Sequence, residues 1–259
     1  MRDLTSPQNE LIKSIVKLRQ ARERKAQGKI LIEGIREVTM AIAGKIEFEK
    51  ILFCQDYGYT DEKILKLAGD KLVTVSKIIF DKISARENPD GFLAIAKPKN
   101  LTLQNIKLSK NPLIIILENI EKPGNLGAIA RTADAGGVDA IIVSANTDIY
   151  NPNAIRSSQG TIFTNQIVAV DSTETIKWLK EKNIKIFATT PRAMIEYVKV
   201  DYKKPSAIVL GAEDKGLSDV WLNESDEKIK INMRGKIDSL NVSVTAAIMV
   251  FEAMRQRNV

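Results

Sequence analysis

Histidine is absent from this 259-residue chain. That removes Ser-His-Asp catalysis, histidine-ligated zinc and the commonest general base of neutral-pH chemistry. The single cysteine, Cys54, excludes an internal disulfide and every paired-cysteine redox or zinc motif, and it reads as a small buried hydrophobe. Long apolar runs are missing too. Leu113–Leu117 is far too short to span a bilayer, and residues 1–14 lack the apolar centre of a signal peptide, so a cytoplasmic protein without membrane contact is expected. An enzyme built from this inventory must work by positioning, or with Asp, Glu, Lys, Arg, Tyr or Ser. Such an enzyme suits an electrophile that arrives already activated.

What is present is an ordinary globular composition, 44% hydrophobic and 27% charged, in a chain long enough for two compact units. The formal net charge of +7 suits a polyanionic partner. The excess is concentrated early: Lys13, Lys17, Arg19, Arg22, Arg24, Lys25 and Lys29 face one acid, Glu23, on a segment where Leu11, Ile15 and Leu18 recur at helical spacing. Ser6-Pro7 reads as the start of that helix. Short strand-like runs then alternate with helical ones as far as Phe92–Ala96, which predicts a small α/β domain over residues 1–100. Lys97-Pro98-Lys99-Asn100 opens a punctuated stretch, read as a linker over 101–110. From residue 111 the strands become continuous apolar runs (Leu113–Leu117, Ala140–Val143, Ile167–Val170, Ile184–Ala188, Ala207–Leu210), the signature of a parallel sheet covered on both faces. A final helix is expected from about Leu240 to Arg257.

Three segments of this second half carry chemistry. After the first strand, Pro123-Gly124-Asn125-Leu126-Gly127 forms a glycine-punctuated turn into a helix that carries Arg131, so Asn125 and Arg131 can approach one ligand at the carboxyl edge of the sheet. The G-x-x-G spacing does not fit a dinucleotide fingerprint. Leu210-Gly211-Ala212-Glu213 ends a strand and presents Glu213 in a turn that could equally be solvated. Ile231-Asn232-Met233 leads through Ser239 and Leu240 to Asn241, where serine and asparagine are natural helix caps.

Together these segments resemble the SpoU/TrmH family of RNA ribose methyltransferases, within the SPOUT superfamily, over residues 111–259. Arg156-Ser157-Ser158-Gln159-Gly160 is similar to the family's arginine, serine and glycine segment, and the first 100 residues are similar to a ribosomal-protein-like domain. The resemblance implies an α/β fold whose C-terminal SPOUT-type parallel sheet closes in a deep trefoil knot, an exception to the rule that chains avoid knots. It implies S-adenosylmethionine as cofactor with no metal, a homodimer, and transfer of a methyl group to a ribose 2′-hydroxyl. Asn125, Arg131, Glu213, Ser239 and Asn241 take the catalytic positions. Leu210, Gly211, Ala212, Ile231, Met233, Ser239 and Leu240 fall to the cofactor. RNA contacts fall to Lys13, Lys17, Arg19, Arg22, Arg24, Lys25, Arg131 and Arg156. Ribosomal RNA is preferred over transfer RNA, by analogy with members that carry a similar N-terminal extension. A non-catalytic RNA-binding protein would need a broken motif. The one departure is Asn232, where the family often has proline, which would fix φ and remove a donor.

Overall fold

The computed structural model describes the chain apart from Met1, Thr5, Pro7, Asn258 and Val259, and apart from the side chains of Arg2 and Asp3. It divides into two compact units, Met1–Lys99 with Tyr150–Thr164, and Asn100–Ile149 with Asn165–Val259.

The first unit runs β1 (Arg2–Leu4), α1 (Glu10–Lys17), α2 (Ala21–Gln27), β2 (Ile30–Glu33), α3 (Ile35–Ala43), β3 (Phe48–Phe53), α4 (Glu62–Ala68), β4 (Leu72–Val75), α5 (Lys77–Ile83) and β5 (Phe92–Ala96). Its strands lie in the order β1-β4-β3-β5-β2, with β5 antiparallel to both neighbours and the other pairs parallel. Ile12, Ile15 and Leu18 close its core over Ile79, Phe80 and Ile83 of α5 and over Leu52 and Leu93 of the sheet. Each such side chain contributes about 1.5–3 kcal/mol when fully buried. Pro7 lies outside the described residues, and α1 starts later than the Ser6-Pro7 pair suggests: Asn9 caps it, accepting from the Leu11 N–H at 2.9 Å.

The expected basic helix is two helices, and Arg24 shows why. The residue is 5% exposed, and its guanidinium donates from Nη1 to the carbonyls of Leu18 (2.9 Å) and Arg19 (2.7 Å), groups that the end of α1 leaves without helical partners. Arg19 in turn donates to the carbonyls of Lys82 and Ser84 at the end of α5. Both arginines therefore hold the chain, whereas Lys17, Arg22 and Lys25 are exposed and form no ion pair among the described residues.

The second unit opens with a surprise in the expected linker. Residues 101–110 are a covering layer: Leu103 is buried in the core, with Leu101, Ile106 and Leu108 packed against it. Then follow β6 (Leu113–Leu117), α6 (Pro123–Ala135) and β7 (Ala140–Val143). The chain next passes to the first unit, where α7 (Pro152–Ser157) packs on β2 and Gly160 (φ +84°) meets α3 so closely that a Cβ would stand 2.6 Å from that of Met40. Arg156, read in the sequence as part of the second half, is an exposed residue of this segment. Burial there raises the Tyr150 phenol, whose hydroxyl bonds the backbone of Lys99, to about 12.

From Asn165 the chain continues through β8 (Ile167–Ala169), α8 (Ser172–Glu181), β9 (Lys185–Thr189), β10 (Ile195–Glu196), β11 (Ser206–Leu210), α9 (Asp219–Glu224), β12 (Glu227–Lys230) and α10 (Val242–Arg257). Among the described residues these strands form a seven-stranded sheet, β10-β12-β9-β11-β6-β7-β8, with every neighbouring pair parallel. The five residues of β6 and of β11 are all buried. Chain order runs outward from β6 in one direction through β7 and β8, and in the other through later strands, so the crevice beyond β6 and β11 is where open α/β sheets receive ligands. Arg257 closes the opposite end, donating to the carbonyls of Tyr202, Asn111, Pro112 and Lys204.

Candidate active site

Beyond β6 the backbone turns through Asn119 at φ 54°, a left-handed value that asparagine tolerates, and its N–H bonds Ser144 Oγ at 2.9 Å. Helix α6 then begins at Pro123, inside the glycine-punctuated segment read as a turn. Proline fits there because the first helical position has no need of its N–H. Asn125 therefore lies inside the first turn of the helix. Gly124 has open space where a Cβ would stand, so no close approach demands it.

Two further elements bring side chains to Asn125. Past β11, the Gly211–Leu217 loop folds back on itself: Ala212 bridges to Gly216, and a Cβ on Gly211 would lie 2.3 Å from the Gly216 carbonyl carbon. Glu213 sits on this loop. Asn241 precedes α10 and caps it, its Oδ1 accepting from the Ser243 N–H at 2.9 Å. The remaining atoms interlock: Asn125 Nδ2 donates to Glu213 Oε1 (3.0 Å), and Asn241 Nδ2 donates to the same oxygen (2.6 Å) and to Asn125 Oδ1 (3.2 Å). Lys122 Nζ pairs with Glu213 Oε2 at 2.9 Å. The Lys122 ammonium first, and the Asn125 amide second, hold the Glu213 carboxyl below the usual carboxylate range, while Glu213 raises Lys122.

Beside this trio lies a cavity of about 390 Å³ walled by the ends of β9, β11 and β12 and the run into α10. All seven residues assigned to the cofactor, Leu210, Gly211, Ala212, Ile231, Met233, Ser239 and Leu240, line it. Thr189, Thr190 and Arg192 line it as well, and the sequence reading did not include them; their signal was their place just past the apolar run Ile184–Ala188. Thr189 Oγ1 is buried there without a hydrogen-bond partner. A second cavity of about 220 Å³, holding Lys122 and Asn125, adjoins the first through Ala212, Glu213, Asp214 and Val242. Ser239 bonds Asp238 on the first cavity's wall and makes no bond to the trio. Arg131 is exposed on α6, about 9 Å along the axis from Asn125, and forms no hydrogen bond among the described residues. Lys122 was absent from the sequence-based site.

A parallel sheet with a cavity of about 390 Å³ and a polar trio at its carboxyl edge defines an α/β protein with a small-molecule site at its strand ends. Comparison with known proteins identifies which one: the model of the SpoU rRNA methylase family matches residues 112–251, and that of the MRM3-like substrate binding domain matches residues 9–94. The chain belongs to the SpoU rRNA methylase family. It is 27% identical to the 23S rRNA (guanosine(2553)-2′-O)-methyltransferase of Bacillus subtilis over 97% of this chain and 98% of that one. A crystal structure of an RNA 2′-O ribose methyltransferase shares 37% identity over 99% of this chain and all of that one, with a TM-score of 0.85. The S-adenosylmethionine-bound rRNA methyltransferase of Sinorhizobium meliloti shares 27% identity, covers 98% of this chain and 97% of that one, and gives a TM-score of 0.90.

Proposed function

We propose that this protein transfers a methyl group from S-adenosylmethionine to a ribose 2′-hydroxyl of ribosomal RNA. The observation that carries the reading is the hydrogen-bonded trio Asn125, Glu213 and Asn241 at the mouth of a cavity walled by the ends of the parallel strands. The cavity suits the cofactor: its volume lies within the ~300–1,000 Å³ of small-molecule sites. Leu210, Leu217 and Leu240 supply apolar wall, and the orphaned Thr189 Oγ1 supplies a polar group in want of a partner. Bound there, the cofactor supplies a methyl group on a sulfonium, which needs no covalent enzyme intermediate. We place the wall residues within the trefoil knot that the family resemblance implies.

The chain's own contribution is positioning. Asn125 and Asn241 share one oxygen of Glu213, which fixes both amides and the loop between the two cavities. Arg131, with its guanidinium free, stabilises the developing alkoxide or holds an adjacent phosphate. Ser239 lines the cofactor side. Lys17, Arg22 and Lys25, with Lys13 beside them, present the first unit's charge to RNA, and exposed Arg156 adds to it. The ribosomal preference draws support from the near full-length match to the Bacillus subtilis enzyme. No helix among the described residues is long and apolar enough to cross a membrane, and we place the enzyme in the cytoplasm. A homodimer through α10 fits its outward stripe, where Val244 is 47% and Phe251 50% exposed.

Mass spectrometry of RNA from a deletion strain tests the reading. A 2′-O-methylribose missing from ribosomal RNA and restored by the purified chain supports it; loss from transfer RNA reassigns the substrate; no loss with no methyl transfer in vitro overturns it.

A further inference from the structure

Glu118 belongs to none of the roles assigned so far, yet its surroundings are unusual. It follows the last residue of β6 and is 6% exposed. Its backbone N–H donates to the Leu210 carbonyl at 2.9 Å, extending the β6/β11 ladder by one step. Both oxygens of its carboxylate accept from a single residue: Oε2 from the Ser218 N–H at 2.8 Å and Oε1 from the Ser218 hydroxyl at 2.7 Å.

Ser218 sits at the N-cap of α9, where a serine ordinarily turns its oxygen onto its own helix, but it makes no side-chain capping bond. Its hydroxyl is spent as a donor to Glu118. Helix α9 forgoes a cap, and a carboxylate is drawn out of water, an arrangement that well-packed apolar residues often match or better in stability. The stability of α9 does not by itself say what the pair holds in place. Position does: Leu210 and Ser218 are the two feet of the Gly211–Leu217 loop, and Glu118 holds both. The neck of that loop is already closed by the approach of Gly211 to Gly216, and between the feet stands Glu213.

We infer that Glu118 is a positioning residue, a staple on both feet of the Gly211–Leu217 loop that sets the cofactor wall and aims Glu213 at Asn125 and Asn241. The inference rests on the cofactor assignment above. Glu118→Gln is the direct probe, since an amide presents one acceptor and one donor to two donors. With the staple loosened, S-adenosylmethionine binds about tenfold more weakly by calorimetry and the single-turnover rate at saturating cofactor falls by a similar factor. Hydrogen exchange at the Ser218 and Gly216 amides accelerates.

Ser218→Ala, which removes one oxygen from an exposed residue, guards against misfolding of the first variant. It is expected to act in the same direction, and the double variant to lose no more than Glu118→Gln alone. A residue with a merely structural role would lower the melting temperature and leave the dissociation constant and single-turnover rate of the folded enzyme unchanged at 20 °C or so. That result, or fully additive losses in the double variant, overturns the inference while wild-type binding stands. A wild-type chain that binds no S-adenosylmethionine overturns the cofactor assignment, and the staple's role with it.

Discussion

Asn241 performs two jobs with two ends of one amide, and two substitutions separate them. Its Oδ1 caps α10, and its Nδ2 donates to Glu213 and Asn125. Asn241→Ala removes both. Loss of an N-cap costs about 1 kcal/mol, which for a domain of this size lowers the melting temperature by roughly 2–4 °C. Asn241→Asp keeps an oxygen at the cap, where the helix N-terminus favours negative charge, so its melting temperature stays near wild type. It takes away the donor and sets a second carboxylate against Glu213. Methyl transfer therefore falls in both variants, measured with radiolabelled S-adenosylmethionine at about pH 7.5. The two then part with pH. In the wild type Glu213 is held below the usual carboxylate range and stays charged as pH falls toward that range. In Asn241→Asp like-charge repulsion raises one pKa of the pair, and the proton it takes up restores a donor. The activity of Asn241→Asp relative to wild type should consequently rise as pH is lowered from about 7.5 to about 5.5, while that of Asn241→Ala stays flat. An Asn241→Asp enzyme as active as wild type at the higher pH would refute the donor's role. A fully stable Asn241→Ala would refute the cap.

Arg131→Ala should abolish methyl transfer and leave cofactor affinity within a few-fold, and Arg131→Lys should fail as well because lysine offers a point charge in place of a planar fork; retention of most activity removes Arg131 from the mechanism. Arg24→Ala should lower the melting temperature, since hydrogen bonds from a buried charged donor are worth about 1.5–3 kcal/mol, whereas Arg22→Ala with Lys25→Ala should leave stability alone and flatten the salt dependence of RNA affinity. Melting curves and filter binding across salt concentrations separate the two sets, and an Arg24→Ala protein of unchanged stability would contradict the brace.

How much of this was legible depends on what kind of signal each residue left. The parallel sheet was, because β6, β7 and β11 are continuous apolar runs and β9 is apolar over Ile186–Ala188, and burial on both faces is the cause of that pattern. Strand β12 was not: Glu227-Lys228-Ile229-Lys230 buries only Ile229 and reads as a charged turn. The lining of the larger cavity was legible through strand ends and glycines, but Thr189 and Thr190 carried no punctuation to mark them. The basic run from Lys13 to Lys29 announced charge without saying which charges were free. Arg24 sits inside that run as its most buried member, and only the end of α1, with its open carbonyls, explains why. Glu118 and Lys122 carried no signal of their own, because their partners, Ser218 and Glu213, come from distant sequence.

The site's lack of histidine has a kinetic consequence. Glu213 is pushed down from the ordinary carboxylate value of 4.5 by Lys122 and Asn125, and Lys122 is pushed up from 10.5 by Glu213. The pair thus stays charged between those values, and the two amides do not titrate at all. Signs follow from the shifts: protonating Glu213 requires acid below 4.5, and discharging Lys122 requires base above 10.5. On the proposed reading, the frame therefore orients without exchanging protons near neutrality. The single-turnover rate should accordingly show no ionisation from these groups between about pH 6 and pH 9, and Lys122→Ala should leave that window unchanged while moving the acid limb upward as Glu213 returns toward its ordinary value. The measurement is a rapid-quench pH profile on both enzymes. An acid limb centred near neutrality in the wild type that vanishes in Glu213→Gln would make Glu213 a proton-transfer group and contradict the orienting frame.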